Sequence, residues 1–285
     1  MMRTRLRNNR LYVPFFLPSL LGMLVFYLLP YAASLYYALT DAAGGFVGMA
    51  NIGDVLTSSS FLTAVGNTTR FMLICVPLNM ILPFLLAYLL YQSRHGQGIM
   101  ITLFMLPLVI PTGATVFFWR VIFDEYGVVN SVLARMGAAP VHWFQSDAAL
   151  YVVIIAFLCK NIGFNLVLFL TGLNYIPKEY YEVSAVEGAG WWRTMRSVTL
   201  VYLTPTTFMV LLMSVINSFK VFREIFLLFG NYPFQSIYML QHYMNNQFAA
   251  ANLEKLSAAS TIISLAISVI VLILLRTQKY LLRNR

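Results

Sequence analysis

The 285-residue sequence is 60% hydrophobic and only 10% charged, with a mean hydropathy of +0.75; a soluble globular domain is excluded and a chain that crosses a bilayer several times is implied. The formal charge of +9 does not point to nucleic acid, because the basic residues gather at the ends of apolar segments, as topology signals do. Cys75 and Cys159 both fall inside apolar runs, so they read as small core residues rather than as a disulfide or a metal site.

Arg3, Arg5, Arg7 and Arg10 precede an uncharged run over 11–40. That run is too long for the apolar region of a secretory leader, and Ala32-Ala33-Ser34 makes a weak cleavage site, so an uncleaved first span is expected over 12–37. Residues 41–60 are polar and contain no Lys or Arg. A second span follows over 71–91, then the basic turn Gln92-Ser93-Arg94-His95-Gly96. The third span, 99–119, is interrupted by Pro107 and Pro111, which membranes tolerate where neighbours re-satisfy the freed carbonyls. A mixed polar connection over 124–148 leads to the fourth span, 149–173. The fifth is expected over 198–219 and the sixth over 256–275, with a polar loop over 230–255 between them and a tail carrying Arg276, Lys279, Arg283 and Arg285. No sequence repeat relates the halves, and the whole of 1–285 reads as a single transmembrane domain.

Between the fourth and fifth spans lies an acid-bearing segment that cannot cross a bilayer. Pro177 suits the first position of a helix, where its missing N–H is unpaired anyway. Glu179 and Glu182 complement the positive end of the helix dipole, and Gly188 and Gly190 supply the backbone freedom that ends helices. A helix of roughly 11 residues, about 16 Å long, is expected within 177–190. It should lie at a membrane surface with one face open.

Charge sets the orientation. The N-terminal arm, the turn at Arg94, the loop of Lys178, Arg193 and Arg196, and the tail hold 12 of the 19 basic residues; the alternate loops hold Arg135 and Lys255 only. The positive-inside rule then puts both termini and the 177–190 helix on the cytoplasmic side, with an even number of spans. Trp191 and Trp192 fit the aromatic belt at the inner boundary.

The motifs are as informative by absence. No lysine follows a glycine, so no G-x4-G-K-[ST] phosphate loop exists in the sequence, nor an H-E-x-x-H zinc helix or a G-x-S-x-G nucleophile elbow. His95, His142 and His242 sit on different loops. Neither a cofactor nor a metal is expected.

Against that background the 182–201 segment resembles the E-A-A-x3-G-x9-I-x-L-P signature of permease subunits of binding-protein-dependent ABC importers. Glu182-Val183-Ser184 stand where that family has Glu-Ala-Ala, Gly188 is the motif glycine, and Val198 and Leu200 take the later apolar positions. Val201 stands where the proline is expected, and Pro205 comes one turn later. Val47-Gly48-Met49-Ala50-Asn51, Leu106-Pro107-Leu108-Val109-Ile110-Pro111, Trp119-Arg120-Val121-Ile122-Phe123 and Gly127-Val128-Val129-Asn130 resemble further stretches of the carbohydrate subgroup. Tyr232-Pro233 depart from the Gly-Gly-Pro turn often found there.

The resemblance implies an all-α, type I permease fold with six transmembrane helices in the cell membrane. It makes 177–190 a coupling helix that docks on a cytoplasmic ATPase. Glu182 is then expected to contact or orient on that ATPase, Ser184 and Ala185 to form a close-packed docking face, and Gly188 to shape the turn. ATP hydrolysis is expected on two separate subunits, with a second permease, heterodimeric by family habit, and an extracytoplasmic solute-binding protein. A sugar or oligosaccharide is the implied cargo; glycerol phosphate or a polyamine is the alternative within the class. An ion-coupled secondary transporter would want a mid-membrane carboxylate, and the acids near spans, Asp124 and Glu224, lie at the outer boundary.

Two polar groups in the spans admit two readings each. Lys160, Asn161 and Asn165 in the fourth span either line a substrate path or hold the bundle together by interhelical hydrogen bonds. Asn217, Lys220 and Glu224 are expected on one helical face, offering either contacts to a hydroxylated solute or a Lys220–Glu224 ion pair.

Overall fold

The computed structural model describes residues 15–93 and 96–283. Arg3, Arg5, Arg7, Arg10, the first three positions of the expected 12–37 span, Arg94, His95 and Arg285 lie outside the described residues. Among those described, the regular structure is helical; one isolated antiparallel bridge joins Thr40 and Phe46. The chain falls into two compact units, Met1–Ser59 with Met244–Ser268 and Ser60–Tyr243 with Val269–Arg285.

In the first unit, α1 (Phe15–Leu39) contains a π turn at Leu24–Leu28 directly ahead of Pro30. The wider turn makes room for the proline ring, which would otherwise press on the carbonyl four residues earlier. None of the most apolar part of α1 is buried; a helix apolar on every side and uncovered by its own chain belongs in lipid or against another subunit. After it, Asp41 closes a turn by accepting the Ala43 and Gly45 N–H groups at 3.0 and 2.7 Å. Asn51, on α2 (Ala50–Thr57), donates to the carbonyls of Ala38 and Thr40 and so ties α2 to the end of α1.

The second unit holds the packed core. Helix α3 (Ser59–Ser93) has 35 residues, about 52 Å at 1.5 Å per residue. That exceeds the ~30 Å hydrocarbon layer, so the helix begins well before the expected 71–91 span; its polar first third, through Arg70, projects beyond the apolar stretch. The expected 99–119 span is two helices, α4 (Gln97–Val109) and α5 (Thr112–Ile122), bent by 100°. Ile110 is extended (ψ 132°), as a residue before proline must be, and Pro111 cannot donate back into α4. Short α6 (Val128–Arg135) precedes α7 (Ala149–Asn174), the central helix, 61% of whose most apolar part is buried.

Gly163 explains how α7 packs so closely. A Cβ built there would lie 2.0 Å from the Phe104 carbonyl oxygen of α4, so only hydrogen lets the two backbones meet. Apolar clusters around Leu166, Phe169, Leu170 and Leu173, and around Phe71, Val153 and Phe157, complete the packing.

Helix α8 (Lys178–Val186) lies between α7 and α9 (Trp191–Tyr202), which contains a π turn at Met195–Thr199. The expected 198–219 span is broken by 67° where α9 meets α10 (Thr204–Phe219). Pro205, displaced one turn from the position in the family signature, is the physical cause: it removes a donor just where the helix restarts. A turn at Lys220 and Val221 leads to α11 (Phe222–Phe229). After α12 (Leu240–Ala249), α13 (Leu253–Arg283) runs through parts of both units. Among the described residues, four helices are long and apolar enough to cross a membrane, and six if each bent pair counts as one span.

Candidate functional site

Two groups of residues stand out, the surface of α8 and a polar network among α3, α7, α10 and α11. Pro177 is the N-cap of α8, with ψ 136°, rather than its first helical residue. The C-terminus is closed by a complete Schellman motif: the Gly188 N–H donates to the Ala185 carbonyl at 3.0 Å and the Ala189 N–H to the Ser184 carbonyl at 2.9 Å. Gly188 itself has φ +70°, a left-handed conformation that costs other residues about 1–2 kcal/mol.

One face of α8 is fixed to its own chain. Tyr181 Oη lies 3.2 Å from Thr199 Oγ1, and burial pushes the phenol above its ordinary pKa, partly opposed by that hydrogen bond. Ser184 is buried, with Oγ 2.7 Å from Thr194 Oγ1. Ser184 therefore anchors α8 from within, and its hydroxyl is not presented to a partner as the small-residue reading expected. Trp191, just after, donates from Nε1 to Tyr88 Oη at 2.7 Å. The opposite face is open: Val186 is 89% and Val183 56% exposed, with Glu179, Glu182 and Ala185 exposed beside them.

In the network, Asn161 Oδ1 accepts from Asn217 Nδ2 at 3.0 Å, and Asn161 Nδ2 donates to the Phe157 carbonyl. Asn165 Nδ2 reaches the Asn79 carbonyl at 3.1 Å and Ser214 Oγ at 3.4 Å, while Asn79 Nδ2 donates to Ser214 Oγ at 3.0 Å. These bonds cross-link three helices at buried and half-buried positions, where each satisfies groups that lipid could not. Asn161, Asn165 and Asn217 thus engage one another's helices, and Asn165 is 2% exposed. Asn79 and Ser214 were not singled out by the sequence; a lone Asn or Ser in an apolar run gives no spacing signal.

Lys160 forms its ion pair with Glu224, 64 residues away. The Lys220–Glu224 pair expected from helical spacing does not occur. Helix α10 ends at Phe219, so the turn at Lys220 and Val221 breaks the periodicity that would have put Asn217, Lys220 and Glu224 on one face. Lys160, Lys220 and Glu224 instead meet in one open cavity with Phe222, Arg223 and Gln241.

Outside these groups, Asn130 staples the 124–143 loop: it donates to the carbonyls of Glu125 and Val141 at 3.0 Å and accepts from the Val141 N–H and Trp143 Nε1 at 3.0 Å. Among the described residues no cluster of three His, Cys, Asp or Glu could hold a metal ion.

Comparison with known proteins gives these features their family. The chain is 29% identical over 238 residues, 81% of each sequence, to the trehalose/maltose transport system permease protein MalF of Thermococcus litoralis. It is 28% identical over 265 residues, covering 89% of this chain and 83% of the other, to the arabinooligosaccharides transport system permease protein AraP of Bacillus subtilis. A chain from the crystal structure of a bacterial ABC transporter involved in the import of the acidic polysaccharide alginate shares the fold, with a TM-score of 0.86, 98% coverage of both chains and 21% identity. The family model for the binding-protein-dependent transport system inner membrane component matches residues 80–284, and the chain belongs to that family, as a membrane transport component and not an enzyme.

Proposed function

We propose that this chain is one of the two permease halves of an ATP-driven importer for a sugar or oligosaccharide. The observation that carries the reading is the construction of α8. Its inner face is pinned through Tyr181 and Ser184, its end is locked by Gly188, and its outer face offers exposed apolar and acidic side chains. A short helix held rigidly to the spans, with an unburied outer face, is suited to receive movement from a partner and pass it on as a lever. The sequence carries no phosphate loop, which supports ATP hydrolysis on such a partner, with two ATPase subunits in the assembly.

In this reading the chain contributes six spans, counting α4 with α5 and α9 with α10 as one each, with both termini and α8 on the cytoplasmic side. The uneven distribution of basic residues supports that orientation. Glu182 and Ala185 face the ATPase, and Gly188 sets the turn that aims them. A second permease, a different chain in the proposed heterodimer, completes the path, and a solute-binding protein delivers cargo at the outer loops. MalF and AraP, named for sugar transport, support the cargo class. Apolar α1, uncovered by its own unit, is consistent with a partner chain or lipid.

The test is uptake by proteoliposomes containing the assembled importer and the sugar accepted by its binding protein. Uptake is expected to require hydrolysable ATP and to survive collapse of the proton gradient. Uptake that persists without ATP and stops with the gradient would overturn the assignment.

A further inference from the structure

We propose that the cavity lined by Lys160, Lys220, Phe222, Arg223, Glu224 and Gln241 accepts a hydroxylated solute bearing negative charge, a uronate or a sugar phosphate. The proposal rests on the permease reading and narrows its cargo. The cavity holds about 370 Å³, within the range of small-molecule sites. Its charges do not balance. Lys160 and Glu224 neutralise each other as an ion pair, whereas neither Lys220 nor Arg223 has a carboxylate at ion-pair distance among the described residues, and both are exposed.

Two uncompensated cations beside a low-dielectric wall concentrate positive potential in the cavity. A guanidinium fork matches the paired oxygens of a carboxylate or phosphate, and the ammonium adds a mobile point charge. Gln241 supplies both a donor and an acceptor for hydroxyl groups. Phe222, half-buried with its ring 4.8 Å from that of His242, gives the site an apolar wall. A neutral sugar would leave both charges without a counterpart, and a polyamine would be repelled.

The experiment uses the full chain in phosphatidylcholine nanodiscs, so that no anionic lipid competes, with binding read by saturation-transfer NMR for digalacturonate, glucose 6-phosphate and maltose. At least one anion is expected to bind about tenfold or more tighter than maltose, and the better of the two assigns carboxylate or phosphate. Lys220→Gln with Arg223→Gln should reduce the anion to the level of maltose, while Lys220→Arg with Arg223→Lys should keep the preference. If the glutamine pair fails to fold, added salt must erode the preference of the unaltered chain. Equal binding of maltose and both anions, no binding of any of them, or a preference that survives the glutamine pair or added salt overturns the proposal. Such a failure leaves the importer reading standing, because ATP-dependent uptake in the assembled complex does not depend on which solute this cavity prefers.

Discussion

His242 shows how a single buried group sets a condition on the fold. Its Nδ1 accepts the Met239 N–H at 3.2 Å, its Nε2 has no hydrogen-bond partner among the described residues, and burial lowers its pKa from 6.5 to about 4. As pH falls, the unfolded chain takes up this proton before the folded chain does. The contribution is therefore complete above pH 6.5 and is lost progressively toward about 4. Thermal unfolding in detergent should show that decline, and His242→Leu should flatten it; an identical pH profile in the variant would contradict the account. Gly188 makes a different demand, on backbone conformation. Gly188→Leu should cost about 1–2 kcal/mol locally and loosen the end of α8, seen as a reduced yield of ATPase on co-purification; an undiminished yield would reject the role given to that turn.

At the scale of elements, the contact of α4 with α7 depends on Gly163. Gly163→Ala drives a methyl into the Phe104 carbonyl, which is backbone and cannot rotate away, so a loss of about 1–3 kcal/mol is expected in unfolding experiments. A variant as stable as the parent would mean the helices lie farther apart than described. The ion pair between α7 and α11 is tested by a double-mutant cycle on Lys160→Met and Glu224→Leu. Either single change strands a charge, so the double variant should recover part of the loss, with an interaction energy of about 1–3 kcal/mol. Strict additivity would show that the two side chains do not interact.

For the molecule as a whole, much of the architecture was legible in the sequence because bilayer thickness imposes long apolar runs. The same is true of α8: charge, brevity and the spacing from Pro177 to Gly188 marked a helix that could not span. Pro111 marked a break, whereas Pro205 was read only as the displaced signature proline; local pattern locates such breaks but does not encode the 100° and 67° angles that packing gives them. The Lys160–Glu224 pair joins residues 64 positions apart, and helical periodicity misdirected Glu224 to Lys220 because it ignored the turn after Phe219. Ser184 was read as part of an outward face for a similar reason, since spacing identifies a face without saying which way it turns.

The central claim is that α8 couples an ATPase to the transport path, and substrate-stimulated ATP hydrolysis by the assembled importer tests it most directly. Glu182 is exposed on the outer face of α8, so Glu182→Lys reverses a charge without disturbing the buried anchors at Tyr181 and Ser184. The account predicts that the variant inserts and folds normally while loaded binding protein no longer stimulates hydrolysis. Stimulation equal to that of the parent complex would contradict it.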